Sequence, residues 1–405
     1  MKLTALLSVA EKLKSLGGVV LAIIILLAMV TIHEFGHYVA GKALGFQINE
    51  FAVGFGPAIL KKRSKKTGEV FSLRIIPLGG FCAFEGEEEE LSNAPDKPVE
   101  EPFSDFGKPE PSIEVTKTEE EVKPQGARFN DQKPWKRIVV LVAGATMNYL
   151  LALVLIMVMF FSYGCVHSYV NIYKGTSVSA PAFHEEVIGY QDIVTSLNGK
   201  DICMATDYAP ALSGKKQGES VEVKLLRRDE NKVWQEKIFT LILQSDANFE
   251  NMTDTTAALR ALGLDPEIYA FSGATVKRGF GETLRSTFVY SFKIGGTVLR
   301  SLGELITGKI PLTSMGGPIT TIGVTAQAAS ASALSFLNIA AFIGVNLAVF
   351  NLLPVPALDG CKVIFCLIEW IRKKPINRKI ETIIHFIGSL VLFGFAILVD
   401  VLQFL

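Results

Sequence analysis

One apolar segment carries three ionisable side chains, and it limits what the chain can fold into more than any other feature. Residues 21–30 (LAIIILLAMV) lead directly towards His33, Glu34 and His37. Such a run is typical of a helix that enters a membrane, and ionisable groups inside such helices are costly and usually functional. The sequence therefore predicts a membrane helix that carries a functional site.

Three further apolar segments are long enough to cross a hydrocarbon core about 30 Å thick. They cover residues 138–163, 336–370 with an interruption, and 383–405. The mean hydropathy of the 405 residues is +0.35, which is high for a soluble protein. We therefore predict a polytopic α-helical membrane protein with four spans in the lipid bilayer of the cell (inner or plasma) membrane. A signal peptide is the less favoured interpretation of the first span, because no small-residue cleavage site follows it.

Basic residues near the span ends predict the orientation, since Lys and Arg accumulate on the cytoplasmic side. They follow the first span, precede the second, and separate the third from the fourth. These residues are Lys42, Lys61, Lys62, Arg63, Lys65, Lys66, Lys133, Lys136, Arg137, Arg372, Lys373, Lys374, Arg378 and Lys379. We predict that these three flanks are cytoplasmic, and that both termini and the region after the second span lie outside.

The segments between the spans differ in composition. Strands near 51–60 and 69–76 are predicted to form a β-hairpin that dips into the membrane against protein. The acidic, Pro-rich region that follows is predicted to be a disordered cytoplasmic insert. The region after the second span has short alternating strands and an Asn-Gly turn, typical of a compact β-rich module. An amphipathic helix is predicted at 280–306, and a loop at 311–323.

These interpretations divide the chain into eight parts. They are 1–45 (first span with HEFGH), 46–84 (hairpin), 85–131 (insert), 132–164 (second span), 165–268 (β-rich module), 269–330 (amphipathic helix and loop), 331–371 (third span with NLLPVPALDG) and 372–405 (basic loop and fourth span). The five cysteines form no CxxC pair and are expected to be small buried residues, although a Cys165–Cys203 pairing stays open.

The HEFGH motif predicts a metal site. His33 and His37 lie one helical turn apart, so both imidazoles can reach one cation, and Glu34 can hold a water beside it. This is the pattern of zinc hydrolases, in which the metal lowers the pKa of water and a glutamate takes its proton. Two structural histidines that satisfy each other are the alternative.

Catalytic zinc needs a third protein ligand, and the candidate is Asp359 in NLAVFNLLPVPALDGCK. Pro354 and Pro356 break the helix before it, and the chain turns at Gly360. This geometry can direct the carboxylate towards the metal from a neighbouring span. A buried, hydrogen-bonded acid at a helix kink is the alternative. His167 and His184 lie in the outside region, and His385 is alone in the fourth span.

At these residues the chain resembles a known family. HEFGH, FNLLPVPALDG, the GFGP and IPLGGF hairpin, and FNDQKPWKRIVVLVAGATMNYLLA together resemble bacterial site-2 proteases, which include the regulator of sigma-E protease. The resemblance covers most of the chain apart from the acidic insert. It implies an intramembrane zinc metalloprotease with Zn²⁺ held by His33, His37 and Asp359, and with Glu34 as the catalytic base. It also implies an extracytoplasmic PDZ-like domain.

The resemblance further implies the substrates and their contacts. The expected substrates are single-span membrane proteins, typically an anti-sigma factor already trimmed outside, and no nucleic acid. A transmembrane substrate helix must be unwound before its backbone can be attacked, and a free edge of the hairpin at 69–76 could pair with the unwound strand. The predicted substrate-binding residues are Asn346, Asn351, Pro354, Pro356, Ile75, Gly79 and Gly80.

The chain departs from the family pattern in several places. The usual AGP of the second span is Ala143–Gly144–Ala145, and Cys361 and Lys362 follow LDG. The module departs from the usual PDZ sequence, which puts peptide binding in doubt. Two other functions stay open: a catalytically inactive relative that binds membrane helices, which would be expected to have lost Glu34 or a ligand, and a zinc transporter, which would need further ligands along its path.

Overall fold

The structure is a computed structural model that describes residues 2–87, 124–172, 187–245 and 255–404. Most of the predicted acidic insert lies outside these ranges. By its contacts the chain divides into two compact units, Met1–Ala152 with Ser301–Leu405, and Leu153–Arg300. We call them the membrane unit and the module unit.

The regular elements are helices and strands, and the last five of them are all helices. They are α1 (Lys2–Leu44), β1 (Ile48–Arg63), β2 (Val70–Phe84), α2 (Pro134–Tyr163), β3 (Cys165–Ile172), β4 (Ile193–Leu197), β5 (Lys200–Asp201), α3 (Tyr208–Leu212), β6 (Ser220–Arg228), β7 (Trp234–Ile242), α4 (Thr255–Ala261), β8 (Tyr269–Val276), α5 (Phe280–Ile306), α6 (Pro318–Ala331), α7 (Ala333–Asn351), α8 (Asp359–Arg372) and α9 (Arg378–Phe404).

Four helical segments of the described chain are long and apolar enough to cross a membrane. They are Leu16–Leu44, Pro134–Tyr163, Ala333–Asn351 and Arg378–Gln403. The prediction of four such helices is confirmed. The predicted interruption of the third span lies between α7 and α8, where the two prolines of the motif remove backbone donors.

The predicted loop at 311–323 is wrong in its second half, because α6 begins at Pro318. Proline is favoured at the first helical position, where its missing N–H is not needed. The next amides are satisfied by a distant residue: the Asp400 carboxylate accepts hydrogen bonds from the backbone N–H groups of Ile319 and Thr320, at 2.9 and 3.1 Å. Because this N-cap comes from a residue 80 positions away, the sequence around Pro318 does not indicate that a capped helix begins there.

The predicted hairpin is confirmed, but its strands are longer and fold back on themselves. Residues 50–53 of β1 pair with both 70–73 and 80–83 of β2, and 70–73 also pair with 60–63. The segments therefore lie in the order 80–84, 48–53, 70–74, 58–63. Gly79 permits the bend in β2, because its φ is +110° and a Cβ there would lie 2.0 Å from the Phe55 ring.

This order corrects the predicted substrate-binding edge. Residues 70–73 have neighbours on both sides, so the segment 69–76 offers no free edge along these residues. Ile75 lies beyond the paired part and is 60% exposed. The outer segment on one side is 80–84.

The module unit contains a sheet in which the strand order is β7-β6-β4-β3-β8, with β5 paired to β4. All the pairings are antiparallel. The Asn-Gly turn predicted from the sequence is present: Asn198 and Gly199 have φ values of +51° and +75°, as a two-residue hairpin turn of this type requires. Aliphatic side chains of this sheet and of α3 and α4 form a buried core.

The predicted end of the module at residue 268 is wrong. Strand β8 pairs with β3 along its whole length, from Tyr269 opposite Ile172 to Val276 opposite Cys165. The sheet would lose an edge strand if the module ended before β8. A PDZ-like fold for this module stays a prediction.

Candidate active site

The two histidines of HEFGH lie side by side on α1. His33 and His37 are 8% and 7% exposed, and their Nε2 atoms are 3.1 Å apart. The spacing of four residues places both rings on one face of the helix. The structure therefore brings the two predicted ligands together.

Asp359 reaches the same point from the first residue of α8. Its Oδ2 lies 3.0 Å from Nε2 of His33 and 3.3 Å from Nε2 of His37. The turn before α8 is tight, because a Cβ on Gly360 would lie 2.3 Å from the backbone oxygen of Leu353. Glycine at this position is therefore a packing requirement, and the Leu-Asp-Gly sequence directs the carboxylate towards the histidines.

The separation of these three atoms fits a zinc ion. Zinc ligands lie at about 2.0–2.2 Å in tetrahedral sites, which places neighbouring ligand atoms about 3.4 Å apart. The distances between the two Nε2 atoms and Oδ2 are 3.0 to 3.3 Å. In the part of the chain that the structure describes, this is the one group of three or more such ligands that converges closely enough for a metal.

Helix α2 supplies hydrogen-bond partners for the outer ring nitrogens. Nδ1 of His37 lies 2.8 Å from the backbone oxygen of Val140, so Nδ1–H donates there and Nε2 keeps its lone pair for a metal. Nδ1 of His33 lies 3.3 Å from Asn148 Nδ2 and 3.4 Å from Asn351 Nδ2. Oδ1 of Asn148 is buried without a partner among the described residues.

Rotating the Asn148 amide by half a turn exchanges its oxygen and nitrogen. Oδ1 would then accept a hydrogen bond from Nδ1–H of His33, which leaves Nε2 of His33 free for a metal as in His37. The sequence analysis did not identify Asn148. The available signal was an amide side chain inside the apolar segment 138–163, since polar groups inside spans usually have a partner or a function.

Close packing of α1 against α2 depends on two glycines. A Cβ on Gly36 would lie 2.4 Å from the backbone oxygen of Ala143, and a Cβ on Gly144 would lie 2.4 Å from Nε2 of His37. Gly144 therefore gives the imidazole its space. The Ala-Gly-Ala sequence departs from the family pattern beside this glycine and leaves the glycine itself in place.

Glu34 faces the outer segment of the hairpin sheet. A Cβ on Gly80 would lie 3.4 Å from Cγ of Glu34, so this side chain is in van der Waals range of the segment 80–84. A cavity of about 1030 Å³ opens here. The residues that line it include His33, Glu34, His37, Asp359, Phe81, Cys82, Ala83, Phe84, Glu85, Glu87, Arg128, Lys362 and Lys379.

The other predicted substrate-binding residues differ in their contacts and burial. Asn351 touches His33, and Oδ1 of Asn346 is buried without a partner among the described residues. Pro354 is exposed, and Pro356 packs against α9 at Gly388. None of the seven predicted substrate-binding residues lines the cavity; they are Ile75, Gly79, Gly80, Asn346, Asn351, Pro354 and Pro356.

The two remaining histidines that the structure describes, His167 and His385, do not belong to the metal group. His167 is buried in the module unit, where its Nδ1–H donates to the backbone oxygen of Ile202 at 3.0 Å. Burial lowers the pKa of His167, so it is a neutral core residue. His184 lies outside the described residues, and His385 contacts the backbone of Ala357 instead.

Two histidines, an aspartate and an adjacent glutamate, in a chain with four apolar helices, define a metal-dependent hydrolase built into a membrane-protein fold. Comparison with known proteins agrees: residues 21–395 match peptidase family M50, and the chain belongs to this family. It is a zinc metalloendopeptidase of the site-2 protease type, and zinc is its cofactor.

Several relatives are similar over almost their whole length. A protein of Clostridium perfringens named putative zinc metalloprotease CPE1693 is 31% identical over 386 residues, which cover 95% of this chain and 97% of that protein. The zinc metalloprotease RasP of Bacillus licheniformis is 26% identical over 423 residues, covering 92% and 95%. The regulator of sigma-W protease RasP of Bacillus subtilis is 26% identical over 419 residues, covering 91% and 94%.

Proposed function

We propose that the chain cleaves the transmembrane segments of single-span membrane proteins, with His33, His37 and Asp359 as the zinc ligands and Glu34 as the general base. The observation that carries this proposal is the convergence of three ligand atoms within 3.3 Å of one another, with Glu34 beside them at a cavity. Membrane-tethered regulators such as anti-sigma factors are the proposed substrates, in keeping with the name of the Bacillus subtilis relative.

A zinc ion at this group would polarise the scissile carbonyl and make water acidic enough to be deprotonated near neutral pH. Glu34 is placed to take that proton and to deliver it to the leaving amide nitrogen, which needs one more proton to depart as an amine. His37 and His33 keep their Nε2 lone pairs for zinc because their Nδ1 atoms face partners on α2.

The substrate must present an extended backbone, because a helix has all its backbone groups paired internally. The segment 80–84 is the proposed docking strand. It is an outer strand of the hairpin sheet, its Gly80 lies against the Glu34 side chain, and four of its residues line the cavity. A substrate strand added there would exchange helix hydrogen bonds for sheet hydrogen bonds beside the catalytic residues. Asn346 and Asn351 are the proposed contacts on the opposite side.

The basic flanks support an orientation in which the active site opens towards the cytoplasm and the module lies outside. The alternatives have less support. An inactive relative would be expected to lack Glu34 or one of the three proposed ligands, and this chain has all four residues. A zinc transporter would need a second ligand group along a path, and the described residues contain no second group of three ligands.

The decisive experiment compares wild type with Glu34→Gln on a reporter transmembrane segment. We expect cleavage to fall by roughly 10²- to 10⁴-fold, because a carboxamide cannot take a proton. Zinc content, measured on the same purified samples, should stay at the wild-type level because Glu34 is not a ligand. Substantial turnover by zinc-loaded Glu34→Gln would refute the assignment of the base, and loss of zinc from this variant would make Glu34 part of the metal site.

A further inference from the structure

His385 has no part in the mechanism above, yet it lies beside the loop that carries Asp359. It is half-buried on α9. Its Nδ1 accepts a hydrogen bond from the backbone N–H of Ala357 at 3.1 Å. An imidazole that accepts at Nδ1 must carry its proton on Nε2, so this contact requires the neutral ring.

Ala357 has an unfavourable backbone conformation. Its φ is +83°, in a region that residues other than glycine rarely adopt. Such residues persist only where their surroundings hold them, and they concentrate at functional sites. Ala357 lies two residues before Asp359, so its conformation sets the direction in which the chain enters α8.

The same face of α9 packs closely on this loop. A Cβ on Gly388, three residues from His385, would lie 2.2 Å from Cβ of Pro356. The imidazole of His385 also packs edge-on against the Phe365 ring of α8, with 5.7 Å between the ring centroids. His385 is thus held between α8 and the loop, and its position relative to Ala357 is fixed by packing on both sides.

We propose that His385 is a positioning residue: its Nδ1 holds Ala357 in the strained conformation and thereby sets the Asp359 carboxylate at the metal site. This inference rests on the proposed role of Asp359 as a zinc ligand. His385 is not a member of the converging ligand group, and it does not line the cavity at Glu34. His385 acts on Asp359 through the backbone of Ala357 and Leu358. We therefore expect it to affect zinc affinity and kcat, and to have no effect on substrate affinity.

The test uses four variants of the full-length protein: His385→Leu, His385→Asn, Ala357→Gly and the double variant His385→Leu/Ala357→Gly. Zinc retention is measured by titration with a chelator, and kcat and KM on the reporter substrate are measured separately. His385→Leu should weaken zinc retention by up to about tenfold, the effect of one lost hydrogen bond, and should lower kcat with KM unchanged. His385→Asn places an amide oxygen at the δ position and should restore both.

Ala357→Gly is the specific test of strain. Glycine adopts positive φ without cost, so the loop should keep its conformation without the His385 contact. The double variant should therefore bind zinc more tightly and turn over faster than His385→Leu alone. If glycine fails to rescue His385→Leu, or if Asn fails to replace histidine, the imidazole only fills space and the inference is wrong.

Two further variants separate the possible failures. Leu390→Ala changes a residue of α9 that is 66% exposed, and it should alter neither zinc retention nor kcat. Asp359→Ala should lose zinc. Full zinc retention by Asp359→Ala would overturn the ligand assignment itself, whereas loss of zinc in that variant with unchanged retention in His385→Leu would overturn only the role of His385.

Discussion

The membrane unit and the module unit each contain a buried or part-buried aspartate, Asp359 and Asp192, and the two have different partners. In the module unit, Asp192 is 1% exposed, and Arg227 binds both of its oxygens at 2.9 and 2.6 Å. In the membrane unit, Oδ2 of Asp359 is directed at two histidines, 3.0 Å from Nε2 of His33 and 3.3 Å from Nε2 of His37. The charge of Asp192 is balanced by an arginine. Asp359 faces two imidazoles, which are side chains that bind metal cations.

Burial alone therefore does not distinguish a functional acid from a structural one. The membrane unit also contains a closed pair, in which Arg137 and Glu369 are 2.5 Å apart and almost fully buried, with Arg378 on the other Glu369 oxygen. Asp359 differs because its neighbours are the two histidines that we propose as metal ligands, whose Nε2 atoms lie 3.0 and 3.3 Å from its Oδ2. Removal of Asp359 should change zinc binding, and removal of Asp192 or Glu369 should change only stability.

The largest expected effect comes from Asp359→Ala. With only two protein ligands the site cannot hold catalytic zinc firmly, so zinc content and cleavage should both be lost. Metal analysis of the purified variant is the measurement, and Asp192→Ala is the matched control, which should keep its zinc. Full zinc occupancy in Asp359→Ala would show that the third ligand lies elsewhere.

The second effect concerns the docking strand. In the Glu34→Gln background, which should bind substrate without cutting it, Ala83→Cys should form a disulfide with a cysteine in the substrate segment under mild oxidation. Cα atoms on neighbouring antiparallel strands are about 4.5–5.5 Å apart, which is within the range of a disulfide. Ile75→Cys should give no cross-link above the background of Glu34→Gln alone, which retains the natural Cys82. Equal cross-linking at both positions would remove the segment 80–84 from substrate binding.

The sequence predicts the chemistry of this site better than its geometry. HEFGH predicts two ligands and the base because helical spacing is local and regular. Asp359 is accessible to sequence reasoning because prolines and a glycine surround an isolated acid in an apolar segment. In both cases the informative residues lie within a few positions of one another.

The incorrect predictions concern contacts between distant parts of the chain. The double pairing of residues 50–53 depends on glycine bends that allow each strand to fold back, and no local pattern specifies which half pairs with which. Helix α6 is capped by Asp400, and strand β8 is placed by β3, more than 90 residues earlier. The contact of Asn148 with His33 also joins distant parts of the chain, because the two residues lie on different helices.

A smaller effect is expected from Asn148→Leu, which removes the hydrogen-bond partner of a zinc ligand. Such partners typically change metal affinity by about 10–100-fold. Zinc affinity, measured by competition with a chelator, should fall by this amount in Asn148→Leu and should recover in Asn148→Asp, which keeps an acceptor for Nδ1–H. If Asn351→Leu lowers the affinity and Asn148→Leu does not, Asn351 is the residue that orients His33.

The smallest effect on zinc content and turnover is expected from a mutation that destabilises the core of the module unit. Leu225 is fully buried in the core of the module unit, and Leu→Ala at such positions costs about 2–5 kcal/mol of stability. Proteolysis of the module should become faster in Leu225→Ala, with Glu236→Ala on exposed β7 as the control. Zinc content and turnover of a reporter that lacks an extracytoplasmic domain should stay near wild type, because every proposed ligand and the base belong to the membrane unit. Loss of zinc or of turnover at a temperature where Leu225→Ala remains folded would contradict this expectation. It would show that zinc binding or cleavage also depends on the module unit.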